Sequence, residues 1–225
     1  MEVFIEGRSS DSPYIEMIWR GHYEGDYSPV CPADERWNLL LAKKRNRVKV
    51  TVEGPTTQSV TKSHSESIEF LVIKFKLGTF MPYLPPANLV DEDALLPEAA
   101  STSFWLNGKS WQFPDFENVE TFVDQLVRND MLVTDPIVKA VLENQTPDLS
   151  FRTVRRRFLQ ATGIPHKAIQ QIERARQAAA LLEQGVSILD TVYQTGYADQ
   201  PHMTRALKHF IGHTPAQIAR VSQTA

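Results

Sequence analysis

The sequence predicts an α+β fold, with a β-rich N-terminal part followed by an all-α C-terminal part. Two observations predict it. Short runs of β-branched and aromatic residues fill the first half of the 225 residues, whereas apolar residues recur every three or four positions in the second half. The second half also repeats one capped helix at an offset of 49 residues.

The strand-like runs are separated by turn residues. Residues 37–42, 48–52 and 68–75 are short and partly alternating, and Gly54, Pro55 and the proline-rich stretch 82–86 punctuate them. A series of short strands is typical of a compact β-sandwich or barrel. We therefore expect such a structure up to about residue 115.

Helical spacing begins near residue 117. Apolar residues at three- and four-residue intervals predict a helix from Glu117 to about Asn129. Asp135 and Pro136 then have the pattern of a helix start, with aspartate as N-cap and proline at the first helical position. We therefore expect a domain boundary near residue 134.

The charge is segregated between the two parts. The net charge of -3 divides into +4 from residue 135 onward, where eleven Lys and Arg face seven Asp and Glu, and -7 before it, where thirteen face twenty. A basic module attached to an acidic one permits an anionic partner such as nucleic acid, but does not prove one.

The repeated helix carries the same signals in both copies. Ser150 and Asp199 are N-cap residues, and Gly163 and Gly212 follow thirteen residues later, placed for a left-handed cap conformation. Each copy has an apolar stripe, formed by Val154, Phe158 and Ala161 in the first and by Met203, Leu207 and Phe210 in the second. Equal lengths, caps and apolar stripes indicate one design used twice.

The opposite face of each repeated helix is polar. Helical spacing places Arg152, Arg155 and Arg156 on one surface, with Gln160 beside them. The corresponding surface of the second copy carries Gln200, Pro201, Thr204, Arg205 and Lys208. Arginine matches guanine edges in a major groove, and Gln and Thr can bond base edges or phosphates. A solvated surface explains one such cluster better, but a second, similarly oriented one favours nucleic-acid reading.

A partner helix precedes each repeated helix. Residues 136–144 and 187–195 are amphipathic, and a short turn joins each to the capped helix after it, which is the helix-turn-helix pattern. Between the two units, residues 166–184 predict one continuous helix, about 27 Å long. With its flanking turns, that helix is long enough to hold two reading helices about one DNA turn, ~34 Å, apart.

The second unit contains the stretch Gly196-Tyr-Ala-Asp-Gln-Pro-His-Met-Thr-Arg205, followed by Gly212-His-Thr-Pro215. Together with residues 150–158, Gly163 and the helix around 174–182, it resembles the DNA-binding domain of the AraC/XylS family of bacterial transcription regulators. The resemblance covers about residues 138–220 and implies seven helices in two helix-turn-helix units. The third and sixth helices of such a domain enter the major groove.

The resemblance also implies which residues touch DNA. The DNA-contacting positions that it implies are Arg152, Arg155, Arg156, Gln200, Pro201, Thr204 and Arg205. Phosphate contacts are expected from the neighbouring basic residues Arg157, Lys167, Arg174, Arg176 and Lys208.

The N-terminal part contains residues 13–19, 37–41, 54–55, 70–78 and 89–92, which resemble more loosely a domain found on a subset of these regulators. Such domains are often cupin-like, and they sense a small molecule or mediate dimerisation. The predicted organisation is therefore a β-rich sensory or dimerisation domain at 1–115, a linker helix at 116–134 and an AraC-type DNA-binding domain at 135–225.

Neither a catalytic site nor a metal site is predicted. The sequence lacks phosphate-loop, dinucleotide-binding and nucleophile-elbow motifs. His22 and His64 lack the spacing of cupin metal ligands, and the single cysteine, Cys31, cannot form a thiolate cluster alone. We therefore expect no enzyme activity, no cofactor and no metal.

Aromatic residues of the N-terminal part have two interpretations. Core packing explains them better than the lining of an apolar pocket does. The residues concerned are Trp19, Phe75, Phe80, Trp105 and Trp111.

These observations predict a cytoplasmic bacterial regulator, without membrane span, that recognises double-stranded promoter DNA by sequence. Activation is the commoner role in the family. RNA polymerase, a small-molecule effector and a second copy of the chain are candidate partners. Two alternatives stay open. A ligand-binding or catalytic β-domain with a helical tail for protein interaction would select no DNA sequence, and a non-specific architectural binder would lack a sharp specificity ratio.

Overall fold

The computed structural model describes residues 3–26, 28–63 and 66–221, so that His64 lies outside the described residues. The chain divides into two compact units that do not follow its order. The first unit contains Met1–Ser28, Arg36–Pro55 and Ser63–Pro165, and the second contains Pro29–Glu35, Thr56–Lys62 and His166–Ala225. Residue 134 thus falls inside the first unit, and the domain boundary expected there stays a prediction.

The strands of the described residues are short and are numbered here in chain order. They are β1 (Val3–Arg8), β2 (Ile15–Tyr23), β3 (Val30–Cys31), β4 (Asn38–Lys44), β5 (Arg47–Glu53), β6 (Val60–Thr61), β7 (Ile68–Phe75), β8 (Thr79–Phe80), β9 (Asp93–Leu96), β10 (Glu98–Ala100), β11 (Ser103–Leu106), β12 (Lys109–Gln112) and β13 (Val133–Thr134).

The helices follow from residue 119 onward, apart from a short 3-10 turn at Pro86–Asn88. They are α1 (Val119–Arg128), α2 (Pro136–Leu142), α3 (Phe151–Thr162), α4 (His166–Glu183), α5 (Ile188–Thr195), α6 (Gln200–Phe210) and α7 (Pro215–Val221).

The main feature of the first unit is an antiparallel sheet of six strands, in the order β1-β2-β7-β4-β5-β9. In β7 the buried residues Leu71, Ile73 and Phe75 alternate with half-buried ones, as expected of a strand with one face on a core. β4 and β5 form a hairpin that closes at the Lys44–Arg47 pair. These six strands form an open sheet, because its edge strands β1 and β9 do not pair with each other, and so they do not close into the barrel that was one of the two expected arrangements.

The core of the first unit is formed by this sheet, the three-stranded sheet β10-β11-β12 and the buried face of α1. The rings of Trp37 and Phe75 stack with their centroids 4.0 Å apart, and the Trp37 indole N–H donates to the Thr79 carbonyl at 2.6 Å. Because that indole has a partner, Trp37 is buried without leaving a polar group unsatisfied. The strand-rich first part and the helical second part confirm the predicted α+β class.

An ion pair attaches α1 to β1 within the first unit. The Arg8 guanidinium donates to the Glu120 carboxylate at 2.8 Å and to the Phe116 carbonyl at 2.6 Å. The hydrogen bond from Arg8 lowers the pKa of Glu120 to about 2. Glu120 therefore stays ionised in the first turn of α1, where a negative charge also favours the helix dipole.

The aromatic residues weighed as pocket lining occupy different places. Phe75, Phe80 and Trp111 are buried, Trp19 is half-buried and Trp105 is 43% exposed. Core packing accounts for the three buried ones. Among the described residues, no helix is both long enough and apolar enough to cross a membrane.

Candidate nucleic-acid interface

The first predicted reading helix is α3, and its ends are those expected from the sequence. The Ser150 hydroxyl accepts a hydrogen bond from the Thr153 N–H at 3.2 Å, which satisfies one of the unpaired amides of the first turn. Gly163 ends the helix with φ 78°, a conformation that a residue with a side chain rarely adopts. Between these caps Arg152, Arg155 and Arg156 are all exposed.

The inner face of α3 is apolar. Phe158 and Ala161 are buried, and Val154 is half-buried. The predicted apolar stripe is therefore confirmed, and it leaves the three arginines facing solvent on the other side of the helix.

The second predicted reading helix, α6, is built in the same way. The Asp199 carboxylate accepts from the His202 N–H at 2.6 Å, and Gly212 follows the helix with φ 88°. Met203 and Leu207 are completely buried. On the other face Gln200, Pro201 and Arg205 are exposed, Lys208 is exposed and Thr204 is half-exposed.

Both partner helices are present. Asp135 caps α2 by accepting from the Ile137 N–H at 2.9 Å, and Pro136 is in its first turn. Ser187 caps α5, which ends at Gly196 in the left-handed region, with φ 67°. These local signals confirm the predicted limits of both helices to within two residues.

The long helix α4 has the predicted extent and buried stripe. It spans 18 residues and buries Ile169, Ile172, Ala175, Ala179 and Leu182. Within the second unit α4 packs against α5, α6 and α7, so that it forms the centre of that helical cluster. The spacing of α3 and α6 along DNA stays a prediction.

Comparison with known proteins bears on these helices. Residues 148–220 match the family model described as "Helix-turn-helix domain". A segment of 48 residues is 44% identical to the "Uncharacterized HTH-type transcriptional regulator YbfI" of Bacillus subtilis (strain 168) and covers 21% of this chain. The match spans 18% of that relative's length. Residues 148–220 form a helix-turn-helix domain of the AraC type.

Solved structures give a more distant likeness. ToxT from Vibrio cholerae O395, bound to (E)-4-(8-methylnaphthalen-1-yl)but-3-enoic acid, has a TM-score of 0.44 at 10% identity and covers 99% of this chain and 100% of that chain. ToxT from the same source in a second crystal structure has a TM-score of 0.41 at 12% identity, with 99% of both chains covered.

Two of the arginines expected on phosphates are held elsewhere. Arg157, on α3 of the AraC-type domain, donates to both carboxylate oxygens of Asp135, at 2.9 and 2.8 Å. Arg176, on α4, donates to the Glu35 carboxylate at 2.8 Å and to the Ala33 carbonyl at 2.9 Å, and lies 3.3 Å from Asp34. Both guanidinium groups are therefore bound by protein oxygens here, and their expected contacts with DNA phosphates stay a prediction.

The ion pair of Arg176 is an internal one. Burial by itself would lower the pKa of the Arg176 guanidinium, but the charges and hydrogen bonds of Glu35 and Asp34 outweigh burial and raise it. The Glu35 side chain is 0% exposed, and a buried carboxylate of this kind requires a charged partner. Arg176 supplies that partner.

The other basic residues expected on phosphates are at the surface of the AraC-type domain. Lys167, Arg174 and Lys208 are exposed. The Arg174 guanidinium lies 5.7 Å from the centre of the ring of Tyr197, a buried residue of the turn between α5 and α6. Among the five expected phosphate contacts, these three have no carboxylate hydrogen-bonded to them in the described hydrogen bonds, and their role stays a prediction.

One surface residue was missed by the sequence analysis. Phe151, the first residue of α3, is 82% exposed, although phenylalanine is ordinarily buried. It follows the cap residue Ser150, as Gln200 follows the cap residue Asp199 in the repeat. The repeat alignment thus contained the signal, because it places a side chain of the second reading face opposite Phe151.

The C-terminal end of α3, which is itself part of the first unit, packs against other segments of that unit. A side-chain carbon on Gly163 would lie 2.8 Å from the Pro86 carbonyl oxygen and 2.9 Å from the Pro55 ring. The helix also packs against β8. The first predicted reading helix, α3, therefore packs against residues of the β-rich part of the sequence.

Two grooves open on the first unit. One of about 460 Å³ is lined by residues of β12 and α1, including Trp111 and Phe122. Another of about 810 Å³ is lined mostly by polar and charged residues, among them Lys43, Arg45 and Glu69. Of the five aromatic residues weighed as pocket lining, Trp111 alone lines either groove.

Proposed function

We propose that this chain is a sequence-specific DNA-binding transcription regulator whose helices α3 and α6 enter successive major grooves of promoter DNA. The observation that carries the proposal is the pair of capped helices, each with a buried apolar face and an exposed polar face, inside an AraC-type domain. On this proposal the bases are read by Arg152, Arg155, Arg156, Gln200, Pro201, Thr204 and Arg205.

The remaining parts of the proposal concern position and control. Lys167, Arg174 and Lys208 contact phosphates and supply the salt dependence of binding. The β-rich part modulates DNA binding through a small molecule or a protein partner. RNA polymerase and a second copy of the chain are the partners proposed for the DNA-bound protein.

Selection from a pool of random duplexes tests the proposed function. We expect the enriched sequences to share two short blocks whose centres are about 10.5 base pairs apart, because that spacing brings successive major grooves to one side of the duplex. A helical tail that binds protein would enrich no sequence. An architectural binder would bind the starting and the final pool with nearly equal affinity.

Replacing Arg205 with alanine is expected to cost about 1–3 kcal/mol of binding free energy and to relax base preference at one position. The reason is that a guanidinium bound to a guanine edge discriminates between base pairs. Binding should be titrated on the selected site and on all single-base variants of one block. Arg128, exposed at the end of α1, provides a control substitution with the same loss of charge. If Arg205→Ala weakens binding equally on every sequence, Arg205 contacts a phosphate.

Phe151 is added to the reading surface because a phenylalanine can contact the methyl group of thymine. Phe151→Ala is expected to weaken binding about fourfold, from the loss of roughly 0.8 kcal/mol for one buried methyl contact. The block whose base preference Arg205→Ala leaves unchanged is assigned to α3 and is called the α3 block. Replacing its thymines one by one with uracil removes only that methyl group. At one position the wild type should lose this affinity while the alanine variant loses none. Equal losses for both proteins at every thymine would show that Phe151 touches no methyl group.

A further inference from the structure

Two segments from the β-rich part of the sequence belong to the compact unit of the second helix-turn-helix. We call them the ribbon, defined as residues 29–35 and 56–62. They pair in antiparallel fashion, with Val30 opposite Thr61 and Cys31 opposite Val60, and a further bridge joins Asp34 to Thr56. The ribbon is therefore a two-stranded element, although its strands lie far apart in sequence from α4 to α7.

The ribbon completes the C-terminal end of α6. The last carbonyl groups of any helix lack partners within the helix. Here the Ala33 N–H donates to the Phe210 carbonyl at 2.7 Å, and the Ser59 N–H donates to the His209 carbonyl at 2.8 Å. The Ser59 hydroxyl adds a weaker bond to the Lys208 carbonyl at 3.4 Å. Three consecutive carbonyls of the second reading helix are thus satisfied by the ribbon.

The same end of α6 is closely packed. A side-chain carbon on Gly212 would lie 2.4 Å from Val30 and 3.2 Å from the Ser59 hydroxyl. Gly212 therefore has two roles at the end of the helix. It adopts a left-handed backbone conformation, and its lack of a side chain allows the ribbon to approach closely.

Arg176 anchors the ribbon to α4. Its guanidinium binds the Ala33 carbonyl and the carboxylates of Asp34 and Glu35, all of them in the first ribbon segment, residues 29–35. Ala33 is also the residue whose N–H binds α6. One short segment thus connects the central helix of the second unit to the end of its reading helix.

We infer that the ribbon positions the second reading helix on DNA, with Arg176 and Glu35 as positioning residues that touch no base. The inference rests on the proposed function. Base contacts tolerate only about 0.5 Å and 10–20° of misplacement. The residues proposed to read bases lie in the first half of α6, so that a shift at its ribbon-bound end changes where they point.

The test is a comparison of Arg176→Gln with the wild type on two duplexes. One carries the complete selected site, and in the other the block assigned to α6 by Arg205→Ala is scrambled. We expect the variant to bind the complete site about tenfold more weakly and the scrambled site as well as the wild type does. Arg174→Gln, two positions along the same helix, is the matched control. Because Arg174 is proposed to contact a phosphate, Arg174→Gln should lose affinity by the same factor on both duplexes.

Hydrogen–deuterium exchange of residues 200–212 in the free protein gives a second readout. We expect faster exchange in Arg176→Gln and unchanged exchange in Arg174→Gln. Unchanged exchange in Arg176→Gln would overturn the inference. An equal loss of affinity on both duplexes would also overturn it and would make Arg176 a phosphate contact. If Arg176→Gln does not fold, Ser59→Ala, which removes only the hydroxyl bond to α6, is tested in the same way with the same outcomes. A wild type that selects no sequence would refute the proposed function, while the exchange result still decides whether the ribbon holds α6.

Discussion

Replacing Gly54 with alanine is expected to destabilise the first unit by about 3 kcal/mol or more. A side-chain carbon at Gly54 would lie 1.7 Å from the backbone oxygen of Leu89, so that the added methyl group cannot be accommodated without moving the backbone. The Gly54 N–H also donates to the Glu92 carbonyl at 3.0 Å, and the Asp91 N–H donates to Pro55 at 2.9 Å. The two chain segments are therefore held against each other at this point.

The same substitution should weaken DNA binding through α3. Leu89 directly follows the 3-10 turn at Pro86–Asn88, and α3 packs against that turn. A displaced turn removes support from the C-terminal end of the first reading helix. In the selected DNA, we expect base preference to decrease in the α3 block and to persist in the α6 block.

The effect of the steric clash is isolated by comparing the denaturant unfolding midpoints of Gly54→Ala and Gly108→Ala. Gly108 has φ 74° and open space around it, so alanine there introduces only backbone strain, about 1 kcal/mol. Equal midpoints for the two variants would mean that the Leu89 segment moves aside without cost, and the predicted role of the close contact would be wrong.

The helices were predictable because their signals are local. The caps Ser150, Ser187 and Asp199 each accept a hydrogen bond from an amide three residues later. Such bonds join residues only three positions apart in the sequence, and the apolar spacing within one helix is equally local. For this reason the helix limits and the exposed polar faces of α3 and α6 agree with the sequence analysis.

The placements of Arg157 and Arg176 were not predictable in this way. Arg157 binds Asp135, 22 residues away, and Arg176 binds Glu35, 141 residues away. Nothing in the spacing of a basic residue on a helix shows whether its charge faces phosphate or a buried carboxylate. Both arginines were therefore assigned to DNA from their type and position alone.

The ribbon was hidden for a related reason. Its strands β3 and β6 have two residues each, too short for an alternating pattern, and they pair across about thirty residues of sequence. The strands of the six-stranded sheet are longer, and those at 38–44, 47–53 and 68–75 were detected. A two-residue strand becomes recognisable only when its distant partner is known.

A fragment of residues 135–225 is expected to lose most of its cooperative folding and its DNA affinity. It would lack the Pro55 and Pro86 contacts of α3, and the Ala33 and Ser59 bonds to α6. Three hydrogen bonds to the end of α6 at about 1 kcal/mol each amount to roughly 3 kcal/mol, a large share of the stability of a small domain. Arg176 would also be left without its carboxylate partners. Thermal unfolding followed by far-ultraviolet circular dichroism and titration on the selected site measure both losses.

Adding residues 1–134 as a separate chain should restore what the fragment loses. The β-rich part supplies the ribbon and the residues beneath α3 through non-covalent contacts, so that a break near residue 134 need not separate the pieces. We expect the two chains to co-elute from a sizing column, and the complex to bind the selected site within a few-fold of the intact chain. The opposite result is as informative, because a fragment that unfolds cooperatively and reads both blocks by itself would make residue 134 a true domain boundary. In that case the ribbon would be an accessory to the second helix-turn-helix unit, since α6 would hold its reading position without it.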